Sequence, residues 1–318
     1  TKGTLALDNF LLTLNIVLPV FLVMVVGYVC KAAGMIPQIA EKTMNKLVFN
    51  VFLPVSLARS LMNIQEDSQL NPWVLGFCAA GVVATFLAAL LVVPRVEKVN
   101  ARRGVLIQGS FRSNYAIFGL PLAEALFPQG DGGVAAMMVI ATIPVFNVLA
   151  VISLEFFRGG KCDFKRVALG VLKNPLIWGC AIGFLVSKLP FDLPDFALST
   201  VNKLASVASP LALFVLGASI DLKKIRGNKG ALLWGTGVRL VLVPAVLLTI
   251  AYFLGFRGAE FSALMIAFGS PCAVSSYTMA AQMGGDEDLA GQLVMATTVL
   301  CSVTMFLMIF CFKTWGIF

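Results

Sequence analysis

The sequence predicts an all-α polytopic membrane protein. Ten transmembrane helices form two inverted five-helix repeats, with broken, crossing helices in the fourth and ninth places. Three observations carry that prediction. The chain of 318 residues is 59% apolar and only 13% charged, with a mean hydropathy of +0.91, whereas a soluble domain is about 45–50% apolar and about 25% charged. Its apolar residues gather into ten runs separated by short polar loops. The order of small and polar residues in the first five runs recurs in the last five. The composition excludes an ordinary soluble enzyme, a disordered chain and a secreted disulfide scaffold, because too little polar surface is available to cover a water-soluble globule of this size.

A helix crossing about 30 Å of hydrocarbon needs about 20 mostly apolar residues. Span 1 (residues 9–30) meets that length without a charge. Span 2 (46–58) is shorter and begins on Lys46; span 3 (73–93) is again uncharged. Span 4 (105–126) is interrupted by Arg112, and span 5 (132–154) is continuous. Spans 6 (176–186) and 7 (204–220) are short, and span 8 (231–256) is interrupted by Arg239. Spans 9 (261–285) and 10 (289–312) are uncharged. Strands of a membrane barrel would alternate in polarity, and these runs do not, so the spans read as helices.

Basic residues orient the chain. Lys31, Arg95, Lys98, Arg102, Arg103, Arg158, Lys161, Lys165, Arg166, Lys223, Lys224, Arg226 and Lys229 fall in odd-numbered loops; Lys2, Arg59, Lys188, Arg257 and Lys313 fall on the other side. The positive-inside rule places both termini outside the cytoplasm of a plasma or inner membrane. The acidic loop Asp286-Glu287-Asp288 adds nothing to that sum. The net charge of +8 is spread over these loops and forms no nucleic-acid patch. Seven cysteines are scattered without a C-x-x-C, and histidine is absent, so neither a metal site nor a cofactor is expected.

The recurrence fixes the domain organisation. At an offset of 155–160, Pro19 and Gly27 meet Pro175 and Gly183, and Asn45-Lys46-Leu47 with Pro54 meets Asn202-Lys203-Leu204 with Pro210. Gly109-Ser110 meets Gly269-Ser270, and Ala141-Thr142 meets Ala296-Thr297. The expected units are residues 1–157, a short cytoplasmic linker at 158–166, and residues 167–318. Each unit holds five spans, an odd number, so the second must be inserted upside down. Inverted repeats are a recurrent architecture of secondary transporters.

Spans 4 and 9 carry the candidate site. Span 4 places Gln108, Gly109, Ser110, Arg112, Ser113, Asn114 and Tyr115 in its middle, and span 9 places Gly269, Ser270 and Pro271 there, followed by Ser275 and Ser276. Glycine weakens a helix and proline removes a backbone donor, so Gly109, Ser110, Gly269 and Pro271 are the expected breaks. Freed backbone groups are tolerated at that depth only beside a cavity or inside protein. The resumed helices would aim positive dipole ends at the centre. Arg112 adds a full charge suited to a carboxylate, and an intramembrane arginine is a functional candidate by default. The plainer reading has Arg112 bonded to a backbone carbonyl or snorkelling, and Asn114, Ser275 and Ser276 bonded to their own helices. No Asp or Glu falls at mid-depth, which leaves a carboxylate-based proton relay or sodium site without residues.

On these residues the chain resembles the auxin efflux carrier family, which joins plant auxin exporters to bacterial permeases for malate, malonate and similar acids. The resemblance covers nearly the whole chain. It is most specific at Asn45-Lys46-Leu47-Val48 with Pro54, Gly109-Ser110-Phe111-Arg112-Ser113-Asn114 with Gly119-Leu120-Pro121, and Asn174-Pro175-Leu176. Further matches are Pro210-Leu211-Ala212-Leu213-Phe214 with Leu216-Gly217, and Ser270-Pro271 with Ser275-Ser276-Tyr277. It implies a fold like that of the sodium/bile-acid symporters, with spans 4 and 9 crossing beside the substrate. It also implies a scaffold of spans 1, 2, 6 and 7 that can join a homodimer, and an elevator of the other six. Thr142 and Asn147 stand where polar side chains of span 5 approach the ligand in the plant proteins; Glu155 and Arg158 match a structural pair. The plant exporters have Pro-Asn where Ser113-Asn114 stands here, which with Arg112 argues for a smaller, more anionic acid than auxin.

The expectation is therefore a secondary active or potential-driven transporter of small organic acid anions, working in the lipid bilayer. The membrane potential, worth about 2.3 kcal/mol per charge per 100 mV, would drive an anion outward. Sodium-coupled symport and a sensor or channel on the same fold are the alternatives. An intramembrane enzyme lacks its parts: no histidine, no paired mid-membrane aspartates and no Gly-x-Ser-x-Gly are present.

Overall fold

A computed structural model describes residues 18–19, 22–62, 71–119, 122, 126, 133–158, 169, 172–188, 193–219 and 225–317. The start of span 1, Leu120-Pro121, Glu124, Cys162, Asp221, most of the 158–166 linker, and Lys2, Lys223 and Lys224 lie outside the described residues.

All regular structure among the described residues is helical. Helix α1 (Leu22–Ala32) leads to α2 (Gln38–Leu47), which passes through a π-helical turn at Val48–Phe52 into α3 (Leu53–Met62). Then come α4 (Pro72–Val96), α5 (Asn100–Phe111), a π-helical turn at Tyr115–Gly119 and α6 (Gly133–Phe157). Helices α7 (Pro175–Ser187) and α8 (Asp195–Ser219) follow. Helix α9 (Ile225–Gly237) runs through a third π-helical turn, Val238–Leu242, into α10 (Val243–Phe253). Helices α11 (Gly258–Gly269), α12 (Ser275–Met283) and α13 (Glu287–Thr314) complete the chain.

Local sequence sets the helix starts. Asn71 caps α4 by accepting from the Trp73 N–H at 3.1 Å, and Asn174 caps α7 by accepting from the Leu176 N–H at 2.9 Å. A proline follows each asparagine, where a missing N–H costs nothing. Asp286 caps α13 through the Leu289 N–H at 2.9 Å, with Glu287 and Asp288 in the first turn. The acids of that loop complement a helix dipole.

Among the described residues, four stretches are long and apolar enough to cross a membrane by length and composition: Pro72–Val96, Asp195–Ser219, Asn228–Phe253 and Glu287–Thr314. Only 33–44% of their most apolar windows is buried inside the protein. Leu91, Val241 and Leu185 are each more than 60% exposed, a surface that water would not tolerate and that hydrocarbon does. The chain is a polytopic, all-helical membrane protein.

Glycines bring four of these helices into backbone contact. A β-carbon on Gly217 of α8 would stand 1.9 Å from the Met24 carbonyl oxygen of α1, and one on Gly27 would stand 2.0 Å from the Phe214 carbonyl oxygen of α8. Gly179 and Gly183 of α7 meet the carbonyls of Pro54 and Ala58 on α3 at 2.4 Å in the same sense. Such close approach is how membrane helices gain packing without a hydrophobic driving force. Gly217→Val is therefore expected to abolish a monodisperse size-exclusion peak, whereas Gly237→Ala, with open space around the added carbon, is expected to leave the peak and the melting temperature unchanged.

Candidate functional site

Two helices break midway along their spans, and the breaks pair. Helix α5 ends at Phe111, and Arg112 is extended at φ −80°, ψ 105°. Helix α11 ends at Gly269, and Ser270 is extended at φ −63°, ψ 155°, as a residue preceding proline tends to be. The Asn114 N–H donates to the Pro271 carbonyl at 2.8 Å, and the Ala273 N–H donates to the Arg112 carbonyl at 3.2 Å. These bonds flank an antiparallel bridge between Ser113 and Cys272.

Breaking a helix strands the carbonyls of its last turn. The Gln108 carbonyl accepts from the Arg112 N–H at 2.9 Å. The Gly109 carbonyl accepts from the Cys272 thiol at 3.2 Å, and the Gly269 carbonyl from the Cys301 thiol at 3.5 Å. Arg239 serves four more. It is fully buried on the π-helical turn that precedes Pro244, which has no N–H for the Leu240 carbonyl. Its Nε donates to the Ser270 carbonyl at 2.9 Å and its Nη2 to the Ala267 carbonyl at 3.2 Å. Its Nη1 reaches the Ser110 and Phe111 carbonyls, each at 3.4 Å. One guanidinium thus caps α5 and α11 together, its charge set against two negative dipole ends.

Beside the pairing lies a cavity of about 90 Å³, lined by Arg112, Ser113, Asn114, Tyr115, Asn147 and Ser275 and closed by Ser56 and Leu57 of α3 and Ser209 and Ala212 of α8. Arg112 is only 3% exposed. Its Nη2 donates to Asn147 Oδ1 at 2.7 Å and its Nη1 to Met279 Sδ, neither of which bears a charge. Ion pairs such as Lys31–Glu41, Arg102–Asp286 and Arg158–Glu155 stand elsewhere. Ser113 Oγ, Asn114 Nδ2, Tyr115 Oη and Ser276 Oγ are buried and make no hydrogen bond in the described structure. A guanidinium beside unpartnered donors is an arrangement suited to a carboxylate.

The profile of the membrane transport proteins matches residues 13–309, nearly the whole length. The chain belongs to this family. It is the family of the auxin efflux carriers, so the resemblance seen in the motifs holds. An uncharacterized transporter of Methanothermobacter thermautotrophicus is 24% identical over 91% of this chain and 95% of its own length. An uncharacterized transporter of Methanocaldococcus jannaschii is 26% identical over the same shares, 91% and 95%. The uncharacterized transporter YfdV of Escherichia coli is 20% identical over 83% of this chain and 86% of its own length.

Within this transporter, the structure gathers Arg112, Ser113, Asn114, Tyr115, Asn147 and Ser275 on one cavity. Pro271 belongs to the pairing through its carbonyl, and Ser276 is buried in the first turn of α12. Thr142 and Ser270 stand apart from the cavity wall. The Thr142 hydroxyl donates to the Met138 carbonyl at 2.7 Å and the Ser270 hydroxyl to the Ile266 carbonyl at 2.5 Å. Gly109 and Ser110 are still helical; the Ser110 hydroxyl donates to the Leu106 carbonyl at 2.8 Å and keeps the last turn closed. Arg239 is the functional residue that reading the sequence missed. Its signal was the one that singled out Arg112, a lone cation inside an apolar span.

Leaving several buried carbonyls unpaired costs about 1–3 kcal/mol each. Arg239→Met is expected to lower stability by about 3 kcal/mol or more, with Arg239→Lys between the two. Thermal unfolding in detergent measures the loss, and faster hydrogen exchange at residues 108–114 and 266–273 localises it.

Proposed function

We propose that this transporter carries small organic acid anions, mono- or dicarboxylates of the size of malonate or malate, and binds them at Arg112. The observation that carries this reading is the burial of Arg112 without a counterion among the described residues, on a cavity with unpartnered polar groups. An uncompensated buried charge is costly; a bound carboxylate would supply the opposite charge and accept from Ser113 Oγ and Asn114 Nδ2. The cavity is small, about 90 Å³, which supports a short-chain acid over a bulkier indole acid. The start of α12 at Ser275 adds a positive dipole end to the same space.

The walls of the cavity support elevator-type alternating access. One wall comes from residues 112–115 past the end of α5, from α6 and from the start of α12 with the two residues before it, the other from α3 and α8. In this reading α1, α2–α3, α7 and α8 are the fixed scaffold, which also carries the homodimer contact. The six remaining spans move against it with the anion. Residues 1–157 and 167–318 are then the two inverted repeats, joined at 158–166, with both termini outside the cytoplasm. The helix–break–helix order of α5 and its continuation matches that of α11 and α12, as inverted mates require. The anion's own gradient and the membrane potential supply the drive, since the described lining of the cavity carries no carboxylate.

Reconstituted wild-type protein is expected to show saturable counterflow of labelled malonate or malate. Hydrogen bonds to a charged group contribute about 1.5–3 kcal/mol, so Arg112→Gln is expected to weaken apparent affinity about ten- to one-hundredfold with an unchanged melting temperature. Wild-type counterflow in that variant would remove Arg112 from the site. Flux indifferent to membrane potential and dependent on sodium would replace the proposed drive by symport.

A further inference from the structure

A second, larger cavity of about 510 Å³, which shares no lining residue with the one at Arg112, lies between α10 and α13. Leu240, Pro244 and Leu248 form one wall, and Thr304, Met308 and Phe312 the other. Its mouth holds Tyr252, Phe253 and Trp315, with Phe253 80% and Trp315 69% exposed. Aromatic residues of this kind mark the level of lipid headgroups. From Tyr252 down to Leu240 the helix descends by 1.5 Å per residue, about 18 Å in all. That is close to the thickness of one leaflet's hydrocarbon, about half of 30 Å. The groove therefore runs from the membrane interface to mid-bilayer, the path of a single acyl chain.

The mouth is also cationic. Arg257 is exposed and lies over the Tyr252 ring, 4.0 Å from its centroid, with its Nη1 on the Tyr252 and Phe256 carbonyls at 2.8 and 2.7 Å. Lys313 sits in the last turn of α13. The Gly258 N–H donates to the Ile317 carbonyl at 2.9 Å, which brings the Arg257 loop and the end of α13 together. The nearby acid, Glu260, accepts from Asn71 at 2.9 Å. At its deep end, Met308 packs on Gly269, where a β-carbon would stand 2.6 Å from the methionine methyl. Gly269 is the residue at which α11 breaks.

We propose that this groove is a specific site for one anionic glycerophospholipid. One acyl chain fills the groove, and the phosphate headgroup rests on Arg257 and Lys313. The deep end of the chain presses on Met308 and through it on the broken end of α11, so the lipid braces the crossing. This site does not depend on which solute the transporter carries.

The test uses the whole protein in detergent, titrated with phosphatidylglycerol or phosphatidylcholine and read by native mass spectrometry and thermal unfolding. One retained phosphatidylglycerol per chain and a larger stabilisation by it than by phosphatidylcholine are expected. A lysine or arginine near the surface contributes about 1 kcal/mol toward an anionic lipid. Arg257→Gln with Lys313→Gln is therefore expected to weaken phosphatidylglycerol binding about thirtyfold and to equalise the two lipids. Thr249→Trp, which fills the groove, is expected to remove the retained lipid while leaving the protein folded. Equal retention of both lipids by wild type, or full retention by the groove-filled variant, would overturn the site. A change of oligomeric mass in the groove-filled variant would reassign the groove to a contact between copies and overturn it equally.

Discussion

Every backbone carbonyl inside hydrocarbon must find its donor within the protein, and the rest of this structure depends on how that is met where two helices stop. The pairing of residues 112–114 with 271–273 satisfies the extended stretches themselves. It does nothing for the last turns of α5 and α11, whose carbonyls converge on one place. Two thiols and one guanidinium serve carbonyls of both turns. Cys272 and Cys301 each serve a glycine carbonyl, which explains why thiols with no partner cysteine sit buried at this depth. Arg239 serves the Ser110, Phe111 and Ala267 carbonyls, and that of Ser270 beside them.

The two intramembrane arginines divide the work according to their partners. Arg239 faces carbonyls, and its charge is spent on the negative ends of two helices. Arg112 faces an amide oxygen and a thioether, and its charge is not balanced by either. Identical side chains at similar depth thus become a cap in one case and, in the function proposed above, an anion receptor in the other, and the distinction lies in what surrounds each guanidinium. The arrangement is also directional. With the carbonyl ends of α5 and α11 neutralised by Arg239, the field left at the cavity is that of Arg112 and the start of α12, which is positive.

This distinction marks the limit of what the sequence makes legible. Composition and run length disclose a helical membrane protein, and Ser270-Pro271 discloses the break in span 9, because proline acts on its neighbour's backbone locally. The set around Arg112 is legible for a similar reason: residues 112–115 are contiguous, and a charge in an apolar run stands out. Arg239 stands out equally, yet its role depends on carbonyls 28 to 129 positions away, and no local pattern carries that. The plainer reading weighed for Arg112, a buried arginine bonded to backbone carbonyls, describes Arg239. Thr142 shows the converse. A hydroxyl in the right span is drawn back to its own helix, since the carbonyl four residues earlier is the nearest acceptor.

The same bonds decide which parts can move. Backbone contacts at Gly27, Gly217, Gly179 and Gly183 leave no room for α1 to slide on α8 or for α7 to slide on α3 without steric overlap. The crossing is likewise locked, since displacing α5 relative to α11 would break Arg239's bonds to both. Between these two locked groups the cavity lining consists of side chains, with Ser56, Leu57, Ser209 and Ala212 facing the crossing. Polar ties span that boundary, one of them a hydrogen bond between the Tyr277 side chain of α12 and the Ser219 side chain of α8. Others are the Asn147 amide on the Cys180 thiol at 3.7 Å and the Asn174 amide on the Met283 thioether at 3.6 Å. Sulfur is a weak acceptor, so parting these two contacts costs far less than parting either locked group. In the elevator reading proposed above, a crossing that holds itself together through Arg239 would travel as a unit with its anion, and the soft contacts lie on the surface along which that travel would occur.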